Sequence, residues 1–154
     1  MTLAELHEEM HAELELMELT VKELKSLRKD VADNEPTNRE KTAAASYLAQ
    51  FYNGVENILK RIAHYYKVSL PKTEMWHIDL FNYFCAPAQN PLPTLFDESL
   101  ASDLTGFRKF RHVVHHGYGF SLDWSRMVEG IDKIENVFFR FKTRALKLDE
   151  DESE

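Results

Sequence analysis

The chain has 154 residues, of which 44% are apolar and 29% are charged, and its formal net charge is −7. This length and composition fit one folded domain and exclude a fibrous or disordered chain. Five glycines and five prolines favour helices over a turn-rich β architecture, and the single cysteine, Cys85, excludes a disulfide within the chain.

The N-terminal segment, MTLAELHEEM, lacks the charged, apolar and small-residue regions of a secretory signal. No apolar run approaches the roughly 20 residues that a helix needs to cross a bilayer. We therefore expect a reduced, cytoplasmic protein that is not inserted in a membrane.

The negative charge is unevenly distributed along the chain. Between residues 107 and 147, nine basic residues stand against four acidic ones, whereas residues 149–154 read DEDESE. We predict a single domain over residues 1–148, followed by an acidic, disordered tail over residues 149–154. The basic region can provide the local positive potential that phosphate binding requires, in spite of the net charge.

Residues 3–33 carry apolar side chains at intervals of three and four, which predicts a long amphipathic helix. Within it, His7 to His11 match the zinc-binding pattern H-E-x-x-H. The match lies in the first turns of a Glu-rich helix, and the sequence offers no convincing third ligand. We therefore interpret it as ordinary helix surface and expect no metal or cofactor.

Pro36 interrupts this pattern, and Thr37 or Asn38 can cap a second helix that runs to about Tyr66. Glu56 is the one acidic residue in its middle. Either it is a solvated carboxylate or it faces the basic region and orients an arginine or histidine there. Gly54 is unfavourable inside a helix and suggests close packing against a neighbouring helix.

A shorter third helix is predicted from an N-cap at Thr73 through Trp76 to Phe84. Its aromatic residues are interpreted as core packing. Three prolines then predict an irregular connector over residues 85–96, because proline restricts both its own backbone and that of its predecessor.

The fourth helix is predicted from a cap at Asp97 or Ser99 to Gly117, and the fifth begins after Ser121 or Asp123. No segment has the pattern of a strand. The sequence therefore predicts an all-α fold, an antiparallel bundle of about five helices.

Residues 107–118, FRKFRHVVHHGY, concentrate the chemistry of the chain, and Arg111, His116 and Tyr118 within them form the pattern R-x4-H-x-Y. An arginine is a permanently charged fork that suits phosphate, and a histidine exchanges protons near neutral pH. Together they suffice for metal-independent RNA cleavage, in which the base activates the ribose 2′-OH and the arginine stabilises the transition state.

Arg111 and His116 point about 140° apart on an ideal helix, so spacing alone would pair Arg111 with His115. We choose His116 because the helix is expected to unwind near Gly117 and because Tyr118 follows two residues later. The other cationic side chains are interpreted as an RNA-binding surround: Arg108, Lys109, His112 and His115. The alternative is an exposed basic helix end that interacts favourably with the helix dipole.

The R-x4-H-x-Y run and the segment LTGFRKFR that leads into it resemble the HEPN superfamily, and they are similar to the HepT ribonuclease toxins. One difference is His112, which stands where most relatives have asparagine. The resemblance implies a HEPN-like fold and a homodimer in which two copies of Arg111 and His116 line one RNA-cutting cleft. It also implies a type II toxin–antitoxin pair, with a minimal nucleotidyltransferase antitoxin that transfers AMP to Tyr118.

The sequence leaves two alternatives to a ribonuclease toxin. The first is a catalytically inactive HEPN module that binds a nucleotide or a protein. The second is a metal-dependent enzyme that uses the clustered histidines. The second is less favoured, because the carboxylates lack the Glu-x-x-His pattern of di-iron bundles.

Overall fold

The computed structural model describes the backbone of residues 1–152 and the side chains of residues 1–148. The predicted acidic tail, residues 149–154, lies outside the described side chains and stays a prediction. In order, the helices are α1 (Leu3–Val31), α2 (Asn38–Tyr65), α3 (Trp76–Asn82), α4 (Glu98–His115), a 3-10 turn (Gly119–Ser121) and α5 (Trp124–Glu152). None of these described helices combines the length and apolar character needed to cross a membrane.

Polar side chains cap the N-termini of α2 and α4 at the predicted positions. The hydroxyl of Thr37 accepts a hydrogen bond from the backbone of Glu40, whose carboxylate accepts one in return, so α2 begins with a capping box. The carboxylate of Asp97 accepts from the backbone N–H of Leu100 across 2.7 Å and caps α4. The predicted starts of α2 and α4 are thus confirmed.

One predicted helix start was wrong. Thr73 does not cap α3, because α3 begins after Met75 and the Thr73 hydroxyl instead donates to Asp79 across 2.7 Å. The predicted end of α4 at Gly117 lies two residues beyond the observed last residue, His115, and no glycine in the described chain has a positive φ. His116 occupies the cap position with φ −109° and ψ 8°.

Helices that are joined in sequence run antiparallel. On α1 and α2, Arg61 donates to Glu9 across 2.8 Å and Asn57 donates to Glu13 across 2.6 Å, so the residue numbers of partners run in opposite directions. Helices α4 and α5 are also antiparallel neighbours, and Arg140 of α5 donates to Asp103 of α4. The predicted all-α, antiparallel helical bundle is confirmed.

Helices α2 and α4 contact each other through their buried faces. The ring of Phe51 contacts that of Phe107 with centroids 5.1 Å apart. Arg144 of α5 fixes the irregular connector by donating to the carbonyls of Leu95 and Thr94. The contact between α2 and α4 places the middle of α2 beside the second half of α4.

Gly54 marks the close approach of α1 and α2. A Cβ at Gly54 would lie 2.5 Å from Cγ and 2.8 Å from Sδ of Met17, which is closer than side-chain packing allows. The close packing that the sequence suggested at Gly54 is therefore present.

Candidate active site

Arg111 is a buried arginine on a helix whose other inward positions are apolar. It follows Leu100, Leu104 and Phe107 at intervals of four, three and four residues, so it continues the same buried stripe of α4. Its side chain extends across the contact between α2 and α4 and reaches polar residues on α2. The side chain of Arg111 is only 9% exposed.

The guanidinium of Arg111 makes two hydrogen bonds with α2. Nη1 donates to Oδ1 of Asn53 across 2.8 Å and to Oε1 of Glu56 across 2.9 Å. The guanidinium also lies over the ring of Tyr52, with Cζ 5.3 Å from the ring centroid. Cation–π contact and charge-assisted hydrogen bonds thus hold the same group.

Glu56 faces the basic helix, as one of the two interpretations of the sequence expected. Its side chain is 5% exposed, and its carboxylate contacts Arg111 rather than His116. A buried carboxylate is stable only when it is paired and hydrogen-bonded, and Arg111 provides both. Glu56 therefore positions the arginine of the motif.

His77 completes the cluster, and sequence reasoning missed it. Its Nδ1 lies 2.7 Å from Oε2 of Glu56 and 2.6 Å from Nη2 of Arg111. His77 stands at the start of α3, in an aromatic segment that we interpreted as core packing. No spacing rule links it to a residue 34 positions later, so only the tertiary fold brings the two together.

His116 lies at the end of α4, outside this cluster. It is exposed, and its ring contacts that of His112 with centroids 4.5 Å apart. No hydrogen bond joins Arg111 to His116 within the described residues. The inward turn of Arg111 and the outward position of His116 follow from the roughly 140° between them on a helix.

Tyr118 is 73% exposed and stacks on Phe120, with ring centroids 5.5 Å apart. The 3-10 turn that follows it packs closely on α2, because a Cβ at Gly119 would lie 2.9 Å from Cα of Thr42. The tyrosine of the motif is thus presented to solvent from a turn that is fixed to the bundle.

The four residues predicted as an RNA-binding surround divide between different surfaces. Arg108 lies over the ring of Phe81, with Cζ 5.1 Å from the centroid, so it shares the α3 side of α4 with Arg111. Lys109 lines a groove of about 550 Å³ between α4 and α5. His112 and His115 are exposed along the last turns of α4. Arg108 is therefore the one of the four that contacts the helix carrying His77.

Burial determines the electrostatic state of Tyr52, the aromatic residue beneath Arg111. Burial raises the pKa of Tyr52 far above its ordinary value, and the negative charge of Glu56 adds to the increase. The hydroxyl of Tyr52 has no hydrogen-bond partner within the described residues. Tyr52 thus contributes a neutral ring beneath the guanidinium at physiological pH.

The two histidines of the H-E-x-x-H match, His7 and His11, lie on α1 with ring centroids 5.9 Å apart. Among the described residues, no group of three or more His, Cys, Asp or Glu side chains is arranged to hold a metal ion.

Comparison with known proteins gives one match. A family model described as HepT-like protein matches residues 43–150, which covers more than half of the chain and includes the whole segment from α2 to α5 that builds the cluster. No match was found among curated proteins or among solved structures.

Proposed function

We propose, given that this chain belongs to the HepT-like protein family of HEPN proteins, that it is a metal-independent endoribonuclease and the toxin of a type II toxin–antitoxin pair. Members of this family are generally ribonucleases. The observation that carries the proposal is the buried pairing of Arg111 with Glu56 of α2, on the helix whose C-terminal cap is His116 and inside the region that matches the family.

The proposed reaction is an internal transesterification of RNA. His116 takes the proton of the ribose 2′-OH, and the 2′-oxygen forms a bond to phosphorus. The bond from phosphorus to the 5′-oxygen breaks, the leaving oxygen receives a proton, and a 2′,3′-cyclic phosphate remains. DNA has no 2′-OH and would not be cut.

Arg111 stabilises the negative charge that develops on the phosphate oxygens. Its Nη1 is occupied by Asn53 and Glu56, and its Nη2 lies 2.6 Å from Nδ1 of His77. Nε is buried and has no hydrogen-bond partner within the described residues. The guanidinium would therefore act on a phosphate through its fixed positive charge, which Asn53 and Glu56 hold in place.

A homodimer would bring two such helix ends into one cleft and concentrate positive charge there. Exposed apolar side chains beside the histidines support association through this end of the molecule, since Val113 and Phe120 are both about half exposed. Joining two basic helix ends also explains how chains with a net charge of −7 could attract RNA.

Tyr118 is the proposed acceptor of AMP from a minimal nucleotidyltransferase antitoxin. Its exposure leaves the phenol accessible to another enzyme. A phosphodiester on this phenol would add negative charge and bulk near His116, and it would repel an RNA phosphate. Modification would therefore neutralise the toxin.

Expression in a bacterial host tests this function. We expect the wild-type chain to arrest growth and His116→Ala to be harmless, whereas replacement of an exposed histidine of α2, His64→Ala, should remain toxic. Equal toxicity of His116→Ala and wild type would contradict the proposal.

One observation favours a second candidate function, a catalytically inactive HEPN module that binds a nucleotide or a protein. The guanidinium of Arg111 is almost fully buried, which also suits a purely structural ion pair. Harmless expression of the wild-type chain, together with tight nucleotide binding by the purified protein, would favour this candidate.

A further inference from the structure

We propose that His77 is a second proton-transfer residue of the cleavage reaction, with Glu56 fixing its ring through Nδ1 and its Nε2 giving a proton to the leaving 5′-oxygen. This inference rests on the proposed ribonuclease function. His77 lies outside the R-x4-H-x-Y pattern and belongs to a different helix.

The carboxylate of Glu56 bridges the two residues that the reaction would use. Oε1 accepts from Arg111 Nη1 across 2.9 Å, and Oε2 lies 2.7 Å from Nδ1 of His77. A buried, ionised carboxylate accepts hydrogen bonds and donates none, so we assign the proton of Nδ1 to the bond with Glu56. The guanidinium of Arg111 is also a donor, so the 2.6 Å approach of its Nη2 to the same nitrogen is then a contact and not a hydrogen bond. Nε2 is then the ring nitrogen that gains and loses a proton, as when a carboxylate orients a catalytic histidine.

The ring of His77 also packs against an aromatic neighbour. It lies against the ring of Trp76 with centroids 3.5 Å apart. Nε2, in contrast, makes no hydrogen bond within the described residues, and the side chain is 36% exposed. A fixed ring with one unengaged nitrogen and access to solvent is suited to act on a bound substrate.

Cationic side chains flank His77 on both sides. Lys60 Nζ lies 4.6 Å from the ring centroid of Trp76, and Arg108 Cζ lies 5.1 Å from that of Phe81, one turn further along α3. Arg111, whose Nη2 lies 2.6 Å from Nδ1 of His77, is the third positive group beside this ring. Such a setting favours a phosphodiester as the substrate that reaches Nε2.

His77 supplies a step that a single histidine leaves open. While His116 holds the proton taken from the 2′-OH, the bond from phosphorus to the 5′-oxygen breaks and that oxygen needs a proton. Protonated His77 donates the proton of Nε2 to it and becomes neutral, with its Nδ1 proton still bonded to Glu56. His116 then releases its proton to solvent and solvent protonates Nε2 of His77 again, which completes the cycle.

The test compares two substrates in the full-length protein. One is an ordinary RNA oligonucleotide, and the other is a uridine 3′-phosphate ester whose leaving group is 4-nitrophenol, which departs without needing a proton. His77→Asn keeps an amide near the position of Nδ1 and removes the titrating nitrogen. His64→Asn, at an exposed position of α2, is the matched control, and thermal melting of each variant verifies folding.

We expect His77→Asn to lower kcat on the oligonucleotide by about 10² to 10⁴ and to leave kcat on the nitrophenyl ester near that of wild type. His116→Ala should lose activity on both substrates, because the 2′-OH must be activated in each. His77→Gln, which cannot titrate either, should repeat the result if the Asn variant does not fold.

Equal losses by His77→Asn on the two substrates, or full activity on the oligonucleotide, would overturn the role of His77 and leave the ribonuclease function standing. A wild-type protein that cleaves neither substrate would overturn the function itself, and the role of His77 with it.

Discussion

Glu56 and Arg111 form an ion pair in the interior of the bundle, with Oε1 and Nη1 separated by 2.9 Å and side chains that are 5% and 9% exposed. Each charge has lost most of its contact with water and depends on the other for compensation. The arginine of the motif is consequently a core residue as well as a candidate catalytic residue. This relationship determines how its variants must be interpreted.

Removing one member of the pair is expected to destabilise the fold. Arg111→Ala should lower the free energy of unfolding by about 3–5 kcal/mol, because it removes the permanent positive charge that compensates the buried carboxylate of Glu56. Lys25→Ala, which removes an exposed ion pair with Glu135, should cost less than about 1 kcal/mol. Urea denaturation measures both, and a similar small loss for the two variants would contradict the buried pair.

This expectation changes the design of activity experiments. Loss of cleavage in Arg111→Ala would therefore not separate catalysis from folding. His116 is exposed and has no buried partner, so its replacement is the cleaner probe of catalysis.

Tyr52→Phe is expected to stabilise the protein by about 1 kcal/mol. The substitution removes a buried hydroxyl without a hydrogen-bond partner in the described chain and keeps the ring beneath Arg111. Thermal or urea unfolding at neutral pH measures the change. A loss of more than about 1 kcal/mol would show that the hydroxyl has a partner in solution.

Tyr52 is also expected to make the free energy of unfolding depend on pH in the alkaline range. Burial raises the pKa of Tyr52 in the folded state, whereas the unfolded chain ionises near the ordinary value of about 10. The free energy of unfolding is therefore not lowered by Tyr52 ionisation below about pH 10. It falls as the pH rises further, since the unfolded state then releases a proton that the folded state keeps. Unfolding of wild type and Tyr52→Phe should diverge above this pH, and parallel curves would contradict it.

Two glycines inside helices should respond in opposite ways to alanine. Gly54→Ala places a Cβ against Met17 and should cost about 1–3 kcal/mol, whereas Gly106 has no atom within 4 Å of the new Cβ. Gly106→Ala should instead stabilise by about 0.5–1 kcal/mol, because alanine favours a helix. Chemical denaturation of both variants measures the difference, and equal effects would contradict the packing of α1 on α2.

Gly119→Ala is expected to disturb the segment that presents Tyr118. The new Cβ would lie 2.9 Å from Cα of Thr42, and a backbone atom cannot move aside as a flexible side chain does. With a nucleotidyltransferase antitoxin, mass spectrometry should find one AMP on Tyr118 in wild type, less in Gly119→Ala and none in Tyr118→Phe. Undiminished modification of Tyr118→Phe would place the acceptor elsewhere.

Local rules predicted the helices well, because their signals lie within a few residues. The capping box at Thr37, the cap at Asp97 and the close packing at Gly54 could all be read from neighbours in sequence. The predicted start of α3 at Thr73 was wrong. The hydroxyl of Thr73, which would have capped the helix, instead donates a hydrogen bond to the side chain of Asp79.

The candidate site was predicted only in part, for a related reason. Arg111 stood out by its residue type and its motif, and Glu56 by being a lone acid in an apolar helix. His77 had neither signal, and its partners lie 21 and 34 residues away. The packing of α2, α3 and α4 against one another brings the three together, and helical periodicity within one segment contains no information about that.

Cleavage of RNA by the purified protein in EDTA tests the central claim most directly. We predict that the wild-type chain and His64→Ala produce fragments with 2′,3′-cyclic phosphate ends, and that His116→Ala, folded as judged by its thermal melt, produces none. Undiminished cleavage by His116→Ala, or a wild-type chain that leaves RNA intact, would contradict the account.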